Sequence, residues 1–321
     1  MNDQEKQIEP FKNESVNNIF KKVGRKNIIR NIIISATVAL IILFGGYIAN
    51  KAWMGEKGWD GVAAIEILQP FMEPDTYIAQ RQVQYGFLGG TLKINRYKII
   101  KEHVIPWSSN TLEYGAIGGL SGLVGDHGNV QLFDANGNSR FYNAENGQQI
   151  MLFYHPTLRY TNYFNDISKL DELPDNKYIE MAISFDKAYS LTDVQKFLPD
   201  IVEPTWYWIN SYAQEDLKIK GTDFPEQEGF IYGFRAYEVS GPGQKVNTTE
   251  ESFIKGLNEL KSYKKKFNGN VFEKLDKVVQ QNQRNGLIIG VVVTGTKDQL
   301  KSLNGLPFVK ASTFGAMVNK Y

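Results

Sequence analysis

Residues 32–48 read IIISATVALIILFGGYI, seventeen positions without a charge, ten of them Ile, Leu, Val or Phe. At about −0.3 to −0.6 kcal/mol each, those ten favour insertion into a bilayer by about 3 to 6 kcal/mol. As a helix the run measures about 26 Å, near the hydrocarbon thickness of a membrane, and Asn31, Ala49 and Asn50 lengthen it. A buried helix of a soluble domain rarely lacks every charge. A signal peptide fits poorly: about thirty residues of mixed charge precede the run, and Tyr47 and Ile48 occupy the place of a small-residue cleavage site. Residues 31–50 are therefore expected to be an uncleaved transmembrane helix.

Working outward, Lys21, Lys22, Arg25, Lys26 and Arg30 crowd the ten positions before the run, whereas only Lys51 and Lys57 follow closely. Positive-inside reasoning puts residues 1–30 in the cytoplasm and everything after residue 50 outside, with Trp53 and Trp59 near the outer headgroups. The chain as a whole is nearly neutral, with 36 Lys+Arg against 35 Asp+Glu in 321 residues. No basic field points to nucleic acid, and no direct contact with it is expected. Cysteine is absent, which excludes disulfides, thiol nucleophiles, lipoprotein acylation and thiolate metal sites.

The outer part carries the grammar of folded domains, and 13 % aromatic residues promise a packed body. Residues 51–165 are Gly-rich and β-like; Asn136-Gly137, between VQLF and RFYN, marks a type I′ hairpin. Residues 166–176 are polar and contain Pro174, so a boundary is placed there, with residues 166–321 as an α+β domain. In residues 178–186, Ile179, Met181, Ile183 and Phe185 face one way and Glu180, Ala182, Ser184 and Asp186 the other. Ser190 with Asp193 caps a short helix ended by Pro199. Residues 205–210 and 230–237 read as aromatic strands. Thr248 with Glu251 is expected to cap a helix that buries Phe253, Leu257 and Leu260 and ends near Gly269. Asn270 would open another, through Phe272, Leu275, Val278 and Val279, closed by Gly286. A buried strand at 287–293, a helix capped by Thr296 with Gln299 and a last strand at 309–318 complete the pattern. The strand–cap–helix–strand unit at 179–208 echoes at 287–316. The expected fold class is thus α+β, with ferredoxin-like βαβ units in the C-terminal half, behind one transmembrane helix.

Catalytic and metal signatures are weak. His103, His127 and His155 lack zinc-site spacing, Gly119-Leu120-Ser121-Gly122 is not a nucleophile elbow, and the glycines from 115 to 128 lack a G-K-[ST] ending. Asp134, Asn136, Asn138 and Glu145 fall at calcium-loop positions, but Ser139 stands where glycine is needed. No enzyme activity and no cofactor are expected.

About thirty residues cannot build a core of their own, yet Val16, Ile19, Phe20 and Val23 share one helical face, preceded by Phe11. That face suits either an anionic lipid surface or a groove on a cytoplasmic partner. Residues 27–51, NIIRNIIISATVALIILFGGYIANK, and 74–98, PDTYIAQRQVQYGFLGGTLKINRYK, resemble the N-terminal region of the sigma-factor-regulator family of Firmicute membrane anti-sigma factors. Residues 151–199, from MLFYHPTLRY to LTDVQKFLP, and 290–316, GVVVTGTKDQLKSLNGLPFVKASTFGA, resemble its C-terminal region. The resemblance implies a membrane-anchored negative regulator of an extracytoplasmic-function sigma factor, holding sigma inside and sensing outside. It departs from the usual pattern in lacking a sizeable cytoplasmic domain with a His/Cys zinc motif. A second membrane protein is a further candidate partner beside sigma and lipid. The other reading open at this point is an outer ligand- or partner-binding module that its helix merely anchors.

Overall fold

The computed structural model describes residues 13–117, 119–121, 128–134, 136–219, 224–239, 244–262 and 271–321. The contacts divide the chain into two units, Met1–Trp53 and Met54–Tyr321. Helix α1, Asn13–Met72, begins in the first and ends in the second. It is the one helix among the described residues long and apolar enough to cross a membrane.

In the second unit the elements follow in order: β1 (Thr76–Tyr85), β2 (Gly89–Ile100), β3 (His103–Gly115), β4 (Asn129–Phe133), β5 (Ser139–Asn143), β6 (Leu152–Phe153), β7 (Lys177–Tyr189), α2 (Leu191–Phe197), β8 (Glu203–Ile209), α3 (Gln214–Ile219), β9 (Glu226–Gln227), β10 (Gly233–Arg235), β11 (Tyr237–Val239), β12 (Lys245–Asn247), α4 (Glu250–Ser262), α5 (Val271–Asn282), β13 (Ile288–Gly295), α6 (Lys297–Lys301) and β14 (Val309–Asn319). The body is mixed α+β.

Strands β1, β2 and β3 form an antiparallel meander. The last turns of α1 lie on it, Val62 and Ile65 packing against Leu92, Ile94 and Leu112. The main sheet is antiparallel in the order β10-β8-β13-β7-β14. The two strand–helix–strand segments that echo each other in sequence, β7-α2-β8 and β13-α6-β14, interleave there. β13 sits between β7 and β8, and β7 between β13 and β14.

Side-chain period 2 sends Ile179, Met181, Ile183 and Phe185 of β7 into one core with Val194, Phe253, Leu257, Phe272, Leu275, Val279 and Leu300 from the helices. The opposite face of the sheet is covered as well, by Met151 and Phe153 over Ala182, Trp206, Trp208 and Val292. Buried on both faces, β13 needs the unbroken apolar run that the sequence displays.

The caps follow their sequence signatures with one shift. Ser190 accepts from the Asp193 amide at 3.1 Å, and Thr296 with Gln299 forms a full capping box. At α4 the cap is Thr249 with Ser252, each hydroxyl accepting from the other's amide, rather than Thr248 with Glu251. Leu260, Gly269 and Asn270 have no described side-chain environment. The aromatic run at 230–237 is not one strand; it divides into β10 and β11, which join different sheets. The hairpin at Asn136-Gly137 forms, but its last strand pair is Phe133 with Ser139, so it does not close on a two-residue turn. The carboxylate of Asp134 accepts from the amides of Asn136 and Asn138, both at 2.9 Å, and holds the wider loop closed.

Candidate functional site

In the first unit, α1 presents Ile19, Phe20 and Val23 as exposed apolar side chains on one helical face. Val16 lies on the same helix, but its side chain, like all of Phe11, falls outside the described residues. Lys21, Lys22, Arg25, Lys26 and Arg30 are exposed around that face, and Trp53 is exposed at the end of the unit.

The second unit contains a buried charge cluster. Lys98 of β2 is fully enclosed; its ammonium donates to both oxygens of Glu180 on β7 at 3.0 and 2.9 Å and to Glu228 at 3.0 Å. The Trp107 ring lies 4.3 Å from the same nitrogen. Glu180 also accepts from the Ala316 amide at 3.0 Å. Beside it Arg96 pairs with Glu73, directly after α1, and donates to Ser108 and Asn110 on β3 at 2.9 Å. Asp75 accepts from Thr205 of β8 at 2.7 Å.

Four buried carboxyls thus meet two buried cations, and burial of unmatched charge is costly. The acids respond accordingly. Burial pushes the Glu228 carboxyl up to about 7; Lys98 opposes the shift and Glu180 adds to it. Burial and then the Glu180 charge raise Asp75 well above the ordinary carboxylate range. Burial raises Glu73 against the pull of Arg96. Burial alone would lower Lys98, but Glu180 and Glu228 raise it. One oxygen of Glu228 is buried without a hydrogen-bond partner, and a cavity of about 20 Å³ adjoins it.

A second feature is a cleft of about 520 Å³ with walls from Phe71, Tyr77, Phe234, Tyr237 and Phe253. Arg235 closes one side. Its guanidinium stacks on Tyr77 at 4.2 Å and donates to the Thr76 carbonyl at 2.9 Å, leaving a buried Nε–H without a partner.

The histidines sit apart. His155 is buried, its ring bonded to Asn210 at 3.3 Å and Thr157 at 3.0 Å. His103 packs against Tyr178, and His127 lies outside the described residues. Among the described residues no group of three or more His, Cys, Asp or Glu is arranged to hold a metal. Glu145 accepts from Ser109, away from the calcium-like loop it was compared with.

Sequence reasoning missed the cluster. Its local trace was slight: Glu180 stands among the apolar residues 179–185, and Lys98 is one of three bases in β2, with Lys93 and Arg96, so nothing in the pattern singles it out. The aromatics of 205–209 are core: Trp206 and Trp208 are fully buried.

An apolar helix of spanning length joined to an α+β body fits a single-pass membrane anchor. The chain belongs to the sigma factor regulator family. Residues 17–105 match the model for the sigma factor regulator N-terminal region, and residues 170–316 match that for the C-terminal region. No curated protein and no solved structure matches the chain significantly. Membership implies a regulatory protein that interacts with a sigma factor, in the role of an anti-sigma factor.

Proposed function

We propose that the protein is a negative regulator of an extracytoplasmic-function sigma factor, with residues 1–30 in the cytoplasm, residues 31–50 in the membrane and the remainder outside as a sensing region. What supports the reading above all is that the matched N-terminal family region, residues 17–105, contains one apolar helix of spanning length, and that the matched C-terminal region, residues 170–316, follows it. The five bases at 21–30 support the orientation. Ile19, Phe20 and Val23, with Phe11 and Val16, are the residues through which the tail would dock on sigma or on a second membrane protein. The outer part would divide near residue 165. Its strand order, β14-β7-β13-β8 with two helical crossovers, supports a ferredoxin-like assignment for the C-terminal half.

The test is co-purification of the cognate sigma factor with the full chain and with I19D/F20D/V23D. The triple variant should lose sigma, and sigma-controlled transcription should rise. Unchanged transcription after removal of residues 1–30 would exclude direct inhibition. A second reading, an anchored ligand-binding module that never touches sigma, draws support from the aromatic cleft with its unsatisfied Arg235 donor. It would be favoured if an unrelated cytoplasmic tail and anchor preserved the whole phenotype.

A further inference from the structure

We propose that the tip of the β1–β2 hairpin, with Ile117 beside it, rests in the interfacial layer of the same bilayer that residues 31–50 cross. The inference rests on the membrane-spanning reading above. Phe87 is 86 % exposed, Leu88 47 % and Ile117 97 %. The two loops that carry them are held together, the Ala116 amide donating to the Leu88 carbonyl at 2.9 Å. Exposed apolar residues gathered at one place mark an interaction surface rather than scatter.

Three observations identify lipid as the occupant. First, residues 82–92 and 114–121 contain no charge, in a chain that is 22 % charged. A protein-binding rim normally carries polar and charged groups. Second, Leu88 holds φ +55, a conformation that disfavours L side chains, so the hairpin retains an apolar residue where glycine would be easier. Third, the tip lies where the second unit begins. The Tyr85 ring comes within 4.0 Å of where a Cβ on Gly55 would stand, while Val83 and Tyr114 close over Gly58. Strand β1 therefore runs back along residues 54–72 towards their start. Gly55 follows Ile48 by seven positions in the sequence, a tether of at most about 25 Å. Phe87 lies in the turn directly beyond Tyr85, closed by the Gly86 amide on the Gly89 carbonyl at 2.7 Å. Headgroup layers occupy the zone just outside the hydrocarbon core, and aromatic rings favour that depth.

The absence of native cysteine makes the test direct. Single variants F87C, I117C, V104C and L40C of the full chain would each carry an environment-sensitive fluorophore in phosphatidylcholine–phosphatidylglycerol liposomes. Nitroxide lipids would serve as depth quenchers. Val104 is exposed at the other end of the same sheet, and Leu40 is mid-span. The expected result is blue-shifted emission at 87 and 117 that loses about half its intensity to a shallow nitroxide, water-like emission at 104, and quenching at 40 by a deep nitroxide. Water-like emission at 87 and 117 with 40 quenched would overturn the hairpin proposal alone. Loss of quenching at 40 would overturn the spanning reading and the proposal with it. A blue shift at 87 and 117 without quenching would mean that protein, such as a second copy, covers the tip, and would also overturn it.

Discussion

Replacing Glu228 by Gln should make the second unit more stable at neutral pH and flatten its response to pH. The magnitude follows from the cluster around Lys98. A carboxyl that ionises at 4.5 when unfolded and at about 7 when folded stays protonated in the native state across that interval while the unfolded chain releases its proton. The unfolded state binds fewer protons there, so stability falls as pH rises, by about 1.4 kcal/mol per unit. The loss is complete once the pH exceeds the folded value, and reaches about 3 kcal/mol. Asp75 and Glu73 are raised as well and act with the same sign. Lys98 is raised in its own range, so its contribution holds throughout this window and is lost only at strongly alkaline pH. Glutamine reproduces the shape and neutrality of the protonated acid and keeps an oxygen for Lys98, 3.0 Å away in the wild type. Urea unfolding of the full chain in detergent micelles, followed by tryptophan emission, measures this directly because Trp206 and Trp208 are fully buried. Wild type should lose stability between pH 5 and about 7.5. E228Q should retain most of it. A wild-type stability that rises over that interval, or an E228Q slope equal to wild type, would refute the assignment of unmatched buried acid to Glu228.

Three other outcomes are expected. G233A should destabilise the main sheet by about 2 kcal/mol or more, because a Cβ there meets the Tyr207 carbonyl and the Trp206 ring; the urea midpoint reads it. T296A removes the hydroxyl that accepts from the Gln299 amide at 3.3 Å and should cost about 1 kcal/mol, visible as a lower thermal midpoint. L88G relieves the left-handed strain at φ +55 and should raise stability by about 1 kcal/mol or less, while weakening the liposome contact reported by the labelled F87C.

Local signals read well where the cause is local. An uncharged run announces a span because charge in hydrocarbon is expensive, and Ser190 with Asp193 announces a helix start because orphan amides need acceptors within one turn. Thr248 misled by one position because Thr249 and Ser252 satisfy each other's amides. The strand at 230–237 misled because Gly233 lets β10 close on the tryptophans of β8, while the chain beyond Arg235 leaves for another sheet.

By itself the sequence determined the apolar helix, the charge asymmetry before it, the α+β pattern behind it and the family, all of which are written in neighbouring residues. Only the tertiary structure decided that β7 is covered on both faces, so that Glu180 lies inside rather than in water. Lys98 joins Glu180 and Glu228, which stand 82 and 130 positions away from it along the chain. No periodicity records such a meeting. Three sheet segments must pack before those charges share one dry space, and packing also turns Phe87, Leu88 and Ile117 into a single apolar tip.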